Sequence, residues 1–262
     1  MLRNAYRFLR LTKPASLFLG PKYSRSRCRI EIDVTYACDL KCLNCDRSCR
    51  QAPSKESMTV GQVEKFVGES AKRGVMWEHI RVLGGEPTLH PQIEGILDAL
   101  LLYKRENSPS TRIVLVTNGF GRRASEVLKR IPQGVEIENS GKKTGVQEFE
   151  PFNMAPQDSV LGTLFDYSLG CQIPEHCGMG LTPYGYYPCA VSGGIDRIFG
   201  FNLGRKSLPA EGDDMRDLMR VFCRLCGHYT RFMNTTMEEE VSSTWRKAYE
   251  RYGIKNPEIP RY

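Results

Sequence analysis

Strand-like and helix-like segments alternate along residues 29–138, and this alternation constrains the fold more than any other feature of the sequence. The strands are short runs rich in β-branched residues, at 29–35, 79–83, 112–117 and 134–138. The first helix between them is predicted to begin at the N-cap Thr59 and to end before Gly74. Such alternation requires a parallel sheet with right-handed crossovers, and therefore an α/β fold. Because the pattern fades after residue 143, we predict an open, partial (β/α) barrel of the TIM-like kind.

Polar residues and glycines follow each predicted strand. In chain order they are Cys38, Cys42, Cys45, Gly84, Gly85, Glu86, Asn118, Asn139 and Ser140. Because the sites of such folds lie where the carboxyl ends of parallel strands meet, we expect these residues to share one site. The glycine pair allows the backbone to approach a ligand closely, and a carboxylate beside it can pair with an ammonium group. The alternative is that Glu86, Asn139 and Ser140 are polar turn residues with no part in binding.

The three cysteines after the first strand have the spacing C-x3-C-x2-C. Three thiolates so close in sequence can converge on one metal centre, and they leave a four-iron cluster one ligand short. An iron without a protein ligand can bind and activate a small molecule. The alternative is a structural zinc site, with Cys49 as its fourth ligand. A disulfide scaffold does not suit a chain of 262 residues, because such scaffolds are short secreted proteins.

These motifs together resemble the radical SAM superfamily. The resemblance covers roughly residues 28–140 and includes the three cysteines, the run Gly84–Pro87 and the run Thr117–Gly119. It implies that the cysteines hold a [4Fe–4S] cluster whose open iron binds S-adenosylmethionine, and that an electron donor such as flavodoxin or ferredoxin is a partner. It also implies that Gly84–Glu86 contact the methionine amino group and that Asn139 and Ser140 bind the ribose. The position before the third cysteine is usually aromatic in this superfamily, but here it is Asn44.

A second group of cysteines lies in the last third of the chain. Its members are Cys171, Cys177, Cys189, Cys223 and Cys226. Residues 178–188 read as a β-hairpin turning at Tyr184–Gly185, and a C-x2-C pair follows. This arrangement resembles the auxiliary module of SPASM and Twitch radical SAM enzymes, which implies a second [4Fe–4S] cluster. We predict Cys177 as its first ligand, with Cys171 as the alternative. A four-cysteine zinc site is the competing interpretation.

A fully ligated second cluster would move electrons rather than bind substrate. We therefore predict a radical SAM oxidoreductase that oxidises a small polar substrate, such as a sugar or cyclitol derivative, with the auxiliary cluster as electron acceptor. The segment Asp196–Arg197 either faces this substrate or forms a structural pair. One alternative function is a radical SAM maturase that modifies a peptide or protein. Another is a zinc-binding interaction protein without catalytic activity.

Composition limits the class of protein. The chain has ten cysteines, a net charge of +7 and no apolar run of membrane-spanning length, so we predict a cytoplasmic protein without a nucleic-acid partner. The excess of basic residues is clearest before residue 30, where we favour a solvated arm over an anion-binding one. We predict a basic arm at 1–27, a partial barrel at 28–165, an auxiliary module at 166–235 and a C-terminal helix and tail at 236–262.

Overall fold

A computed structural model describes residues 6, 9–21, 24–145, 151–228 and 241–262. Arg3, Arg7 and Lys22 of the predicted basic arm lie outside the described residues. The same holds for 229–235 of the predicted auxiliary module and for 236–240 of the predicted C-terminal segment.

The fold is built on one open sheet of six strands in the order β4-β3-β2-β1-β5-β6. The strands are β1 (Arg29–Thr35), β2 (His79–Gly84), β3 (Arg112–Thr117), β4 (Val135–Asn139), β5 (Met179–Thr182) and β6 (Gly185–Tyr187). The first five strands pair in parallel, and β6 pairs with β5 antiparallel. The predicted α/β fold with an unclosed, TIM-like sheet is confirmed.

Helices lie before, between and after the strands along the chain. They are α1 (Lys13–Leu19), α2 (Val60–Lys72), α3 (Ile93–Asn107), α4 (Gly121–Leu128), α5 (Tyr167–Gly170), α6 (Ile173–His176), α7 (Ala190–Phe199), α8 (Arg216–Phe222) and α9 (Ser243–Ile254). The predicted start of α2 is confirmed by a capping box, in which Thr59 and Gln62 exchange side-chain and backbone hydrogen bonds. The helix ends at Arg73, and Gly74 follows with a φ of 62°.

The central strand β1 separates an apolar face from a charged one. Ile30, Ile32 and Val34 are fully buried and belong to the main hydrophobic core, together with side chains of α2 and α3. Because side chains alternate along a strand, Glu31 and Asp33 point to the opposite face, the interior of the open barrel. Both carboxylates are buried there. The helix side of the sheet therefore supplies the apolar core, and the interior side supplies the polar chemistry.

The cysteine-flanked hairpin is part of the main sheet. β5 pairs with β1, so the segment predicted as an appended module continues the barrel sheet by two strands. The turn lies at Pro183 and Tyr184, because Thr182 pairs with Gly185 at the end of the ladder. The predicted hairpin is present, but its turn is one residue earlier than predicted.

Within the described part of the basic arm, the expectation of a solvated segment is wrong at two arginines, whereas Lys13 and Arg27 are exposed. Arg10 and Arg25 are only 5% and 4% exposed. Arg25 donates hydrogen bonds to the backbone carbonyls of Asp213 (2.8 Å) and Ala210 (3.0 Å). These carbonyls replace water around the guanidinium, which offsets the cost of burying its charge.

Within the described ranges, no helix has both the length and the apolar character needed to cross a membrane.

Candidate active site

The cysteine loop follows β1 at the carboxyl edge of the sheet. Its far end returns to the strand, because Met58 N–H donates to Val34 O (2.8 Å). Cys42 is buried, and Cys38 and Cys45 are partly buried. Asn44 has a φ of 53°, in the left-handed region that asparagine tolerates better than aromatic residues do. This backbone geometry accounts for an asparagine at the position where an aromatic residue is usual.

Cys49 lies beside Cys45 inside the same loop. Their thiols share a hydrogen bond, which lowers the pKa of Cys45 and raises that of Cys49 well above its usual value. A lowered pKa favours the thiolate, the form that binds metals. By contrast, burial raises the pKa of Cys38 to about 12, so metal binding there would have to displace a proton. The hydrogen bond therefore holds the Cys49 thiol beside Cys45, the third cysteine of the predicted cluster triad.

The glycine pair at the end of β2 allows two backbone segments to meet. A Cβ atom on Gly84 would lie 2.3 Å from Thr35 O, and one on Gly85 would lie 2.3 Å from Ala37 O. Gly85 N–H donates to Thr35 O (2.7 Å), and Glu86 N–H donates to Ala37 O (2.8 Å). The glycines therefore hold β2 against the start of the cysteine loop, a reason for glycine that differs from the predicted approach to a ligand.

The Glu86 carboxylate points into the protein and is fully buried. Oε1 accepts hydrogen bonds from Thr88 N–H (3.0 Å), Thr88 Oγ1 (2.7 Å) and Thr117 Oγ1 (2.8 Å). Oε2 accepts from Asn118 N–H (2.8 Å). With four donors already bound, this geometry favours a positioning role over direct pairing with an ammonium group.

Residues after β3 and β4 complete the edge. Asn118 Nδ2 donates to Asp39 Oδ1 in the cysteine loop (2.9 Å), and Ser140 Oγ donates to Thr117 O (3.1 Å). Asn139 Oδ1 accepts from Gly141 N–H (2.8 Å), a local turn contact, whereas the Ser140 contact joins the end of β4 to β3. Lys41 N–H donates to Gly145 O (2.7 Å), which brings the loop after β4 against the cysteine loop. The residues predicted to share this edge are brought together there.

An ion-pair network lies on the interior face of the sheet below this edge. Arg47, from the cysteine loop, contacts Asp33 Oδ2 (3.3 Å) and Glu31 Oε2 (3.2 Å). Arg81, on β2, contacts Glu31 Oε1 (2.6 Å) and Glu138 Oε1 (2.8 Å). The Arg47 side chain is 7% exposed, whereas Glu138 on the edge strand β4 is 57% exposed. The network therefore runs from the buried base of the cysteine loop to the open side of the barrel.

Asp33 is the most perturbed carboxyl group of this network. Burial raises its pKa from 3.8 to about 6, and the neighbouring charge of Arg47 only partly opposes this effect. The pKa of Arg47 is raised well above its usual value by Asp33, Asp46 and Glu31, which outweigh its own burial. Asp33 therefore changes its charge at a pH nearer to neutrality than an ordinary aspartate does.

Four cysteines of the second group line one apolar cavity. They are Cys171, Cys189, Cys223 and Cys226, and their neighbours include Phe152, Ile173, Pro188, Met219 and Phe222. Burial raises the pKa of Cys223 and Cys226 well above the usual value, and the nearby Cys171 adds to this effect. Burial also raises the pKa of Cys189. Such thiols stay protonated until a metal compensates their charge.

Cys177, predicted as the first ligand, is not among the residues that line this cavity. It caps α6 shortly before β5, where burial raises its pKa to about 11 and the nearby Glu31 and Cys189 contribute. The cavity thus favours the alternative, Cys171.

Both cysteine groups fit iron by donor type, because thiolates are the usual ligands of iron–sulfur clusters. No disulfide joins any two of the ten cysteines, all of which are described. Within the described residues, no group of three or more Cys, His, Asp or Glu side chains has already converged to metal-binding spacing. Ligation of a cluster would therefore require side-chain rotation at each group.

Several polar residues of the site were not singled out from the sequence. They are Glu31, Asp33, Asp39, Arg47 and Arg81. Strands of a parallel sheet that are buried on both faces are normally apolar throughout, yet β1 carries carboxylates at alternate positions. This contrast was a usable signal for Glu31 and Asp33. Nothing local distinguishes Arg47 from the other basic residues of the loop.

Fold and site together define an α/β protein with a three-cysteine loop at the carboxyl edge of an open parallel sheet. Residues 32–137 match the model of the radical SAM superfamily, so this part of the chain is similar to that superfamily. Domains of this superfamily hold a [4Fe–4S] cluster and S-adenosylmethionine, and the cysteine loop lies within the matched residues. The resemblance of the C-terminal cysteines to a SPASM or Twitch module stays a prediction.

The chain is also similar to curated proteins over part of its length. GTP 3′,8-cyclase of Desulforamulus reducens is 29% identical over 111 residues, which are 41% of this chain and 32% of that protein. GTP 3′,8-cyclase of Mannheimia succiniciproducens is 30% identical over 100 residues, which are 37% of this chain and 28% of that protein. The chain therefore spans about a third of the length of these relatives.

The chain also matches two solved structures. BtrN in complex with AdoMet and 2-DOIA matches with a TM-score of 0.47 and 15% identity, over 83% of this chain and 98% of that one. Streptococcus suis SuiB bound to the precursor peptide SuiA matches with a TM-score of 0.42 and 12% identity, over 100% of this chain and 79% of that one. Neither likeness bears on the substrate of this chain.

Proposed function

We propose that the chain is a cytoplasmic radical SAM oxidoreductase that acts on a small polar substrate, such as a sugar or cyclitol derivative. Cys38, Cys42 and Cys45 would hold a [4Fe–4S] cluster, and flavodoxin or ferredoxin would reduce it. When bound, this cluster would supply the electron that cleaves S-adenosylmethionine, and an auxiliary cluster would accept the electron left after hydrogen abstraction from the substrate.

The cavity lined by four cysteines is the observation that carries the oxidative part of this proposal. Cys171, Cys189, Cys223 and Cys226 surround one apolar space, a donor set that can ligate a second [4Fe–4S] cluster fully. We therefore assign Cys171 in place of Cys177 as the first auxiliary ligand. The position of Cys189 directly before α7 sets this group beside the barrel interior, where Glu31 and Arg47 act on it electrostatically.

The other residues at this edge of the sheet would position the cysteine loop and orient the substrate. Glu86 holds the ends of β2 and β3 together, and Asn118 holds Asp39 of the cysteine loop. We assign substrate orientation to Arg81 and Glu138, the members of the ion-pair network nearest the open side of the barrel. The buried members, Asp33 and Arg47, exclude water from the base of the cysteine loop and fix its position.

Substitution of Cys38, Cys42 and Cys45 tests the radical SAM assignment. Anaerobically reconstituted and chemically reduced protein should form 5′-deoxyadenosine from S-adenosylmethionine. The variant C38A/C42A/C45A should form none, because the cluster that delivers the electron loses all its ligands. Cys28 precedes β1 at the opposite end of the sheet, so C28A is the matched control and should keep the activity. Undiminished product from the triple variant would overturn the assignment.

Three alternative functions predict different experimental results. The curated relatives are named GTP 3′,8-cyclase, so GTP should be tested as a substrate, and its consumption would favour cyclisation over oxidation. Modification of a co-expressed small peptide would favour the maturase. Stoichiometric zinc without iron after anaerobic purification would favour the zinc-binding interaction protein.

A further inference from the structure

Arg197 is a buried arginine that the proposed chemistry does not use. It is 1% exposed and lies on α7, the helix that begins directly after Cys189. Asp196, its neighbour in sequence, is engaged elsewhere, because its carboxylate accepts hydrogen bonds from Tyr187 Oη, Asn202 N–H and Leu203 N–H. The two residues therefore do not form the predicted structural pair, and both are buried.

The guanidinium of Arg197 reaches the backbone of the cysteine loop. Nη2 donates to Arg47 O (3.0 Å) and Ser48 O (3.3 Å), and Nη1 donates to Ala52 O (3.0 Å) and Tyr252 Oη (2.8 Å). Its Cζ lies 4.4 Å from the centre of the Tyr36 ring. In the part of the chain that the structure describes, no carboxylate forms a salt bridge with it. Carbonyl oxygens and aromatic faces thus replace the usual counter-ion.

The loop segment held by Arg197 has a backbone conformation that needs outside support. Ser48 has a φ of 54°, which is unfavourable for a residue with a side chain. Its hydroxyl is 2.8 Å from Tyr249 Oη on α9, so the residue is held from two helices at once. A Cβ atom on Gly194 would lie 3.0 Å from Asp46 O, so α7 packs directly on this segment. Cys45 begins the same turn, since its carbonyl accepts Ser48 N–H (2.8 Å).

We propose that Arg197 is a positioning residue that fixes the segment 45–52 from α7 and thereby ties the first cysteine group to the half of the chain that carries the second. A planar guanidinium has five donors in a fixed fork, so it can bond more carbonyls at once than a lysine ammonium, which has three. This role rests on the proposed function only in that Cys45 is taken as a cluster ligand. The contacts themselves need no bound group.

Hydrogen exchange of the metal-free chain tests the positioning directly. In R197M, the backbone amides of residues 47–52 should exchange about tenfold faster. The carbonyls of this segment would lose their buried donor, which favours local opening. A factor of ten in the exchange rate corresponds to about 1.4 kcal/mol. The matched control is R25M, because Arg25 is equally buried and also bonds backbone carbonyls, but precedes β1 at the other end of the sheet. R25M should leave exchange in 47–52 unchanged.

Two outcomes would overturn the proposal. One is unchanged exchange of residues 47–52 in R197M, and the other is an equal increase in R25M. If R197M does not fold, R197K carries the test, because lysine keeps the charge and reaches fewer carbonyls. R197K should also raise exchange in that segment, and an unchanged rate would overturn the proposal equally.

Iron release is a second readout that a purely structural arginine would not move. In a C223S/C226S background, where only the first group can hold a cluster, R197M should lose iron to a chelator about tenfold faster than R25M, by the same conversion. Equal release rates would contradict the link to Cys45. If the unsubstituted chain binds no iron at all, the proposed function fails while the exchange experiment still decides the role of Arg197.

Discussion

Asp33 shows how one buried carboxyl group can make the whole chain sensitive to pH. It lies on the central strand with no exposure, and its partner Arg47 comes from the cysteine loop. Burial disfavours the charged form more than Arg47 favours it, so the pKa is raised. A carboxyl group with a raised pKa stabilises the fold while it is protonated, and this stabilisation is lost as the pH rises through the pKa of the folded state.

We expect the free energy of unfolding of the unsubstituted chain, relative to D33N, to fall as the pH rises. The pKa of Asp33 rises from its ordinary value of 3.8 to about 6 in the folded chain. This shift corresponds to a loss of about 3 kcal/mol in the free energy of unfolding between about pH 4 and about pH 7. Urea unfolding of both proteins at several pH values in that window measures this difference in the free energy of unfolding. D33N removes the titration while keeping the shape of the side chain. A difference that stays constant with pH would mean that burial does not raise this pKa.

At the scale of elements, the edge of the sheet depends on contacts between the ends of neighbouring strands. Glycines allow β2 to approach the backbone that follows β1, and the carboxylate of Glu86 joins β2 to β3. These contacts set the position of the cysteine loop relative to Asn118. The site is thus built by strand ends that are locked to one another, not by independent loops.

E86Q should destabilise the fold by about 1–3 kcal/mol. The amide has one acceptor oxygen in place of two, and its NH2 group would meet a backbone N–H or a hydroxyl that now donates to the carboxylate. Chemical denaturation measures the loss. E126Q is the matched control, because Glu126 is exposed and accepts only from Arg122 on the same helix. It should change stability by less than about 0.5 kcal/mol. Equal effects of the two substitutions would show that the buried carboxylate does not join the strand ends.

At the scale of the whole molecule, two cysteine groups share one sheet. The first follows β1, and the hairpin of the second adds β5 to the other side of the same strand. Arg197 and the charged interior face lie between them.

Substitution of single cysteines separates the two candidates for the first auxiliary ligand. Reconstituted protein should hold about eight irons in two four-iron clusters, and C171S should lose about four of them. C177S should keep all of them, because Cys177 is not among the residues lining the cavity. Iron and sulfide analysis, with zinc measured in parallel, gives the result. Loss of iron in C177S with full retention in C171S would restore the choice made from the spacing.

The sequence by itself determined the alternation of strands and helices over residues 29–139 and the edge of the sheet at which the cysteine loop lies. It could do so because periodicity, capping and cysteine spacing are local properties of the chain. Only the tertiary structure decided that Glu86 points inward, that Arg25 is buried, that Cys171 rather than Cys177 lines the cavity and that Arg197 holds the cysteine loop. These outcomes depend on which distant segments pack together. In particular, they depend on β5 pairing with β1, which no local pattern encodes.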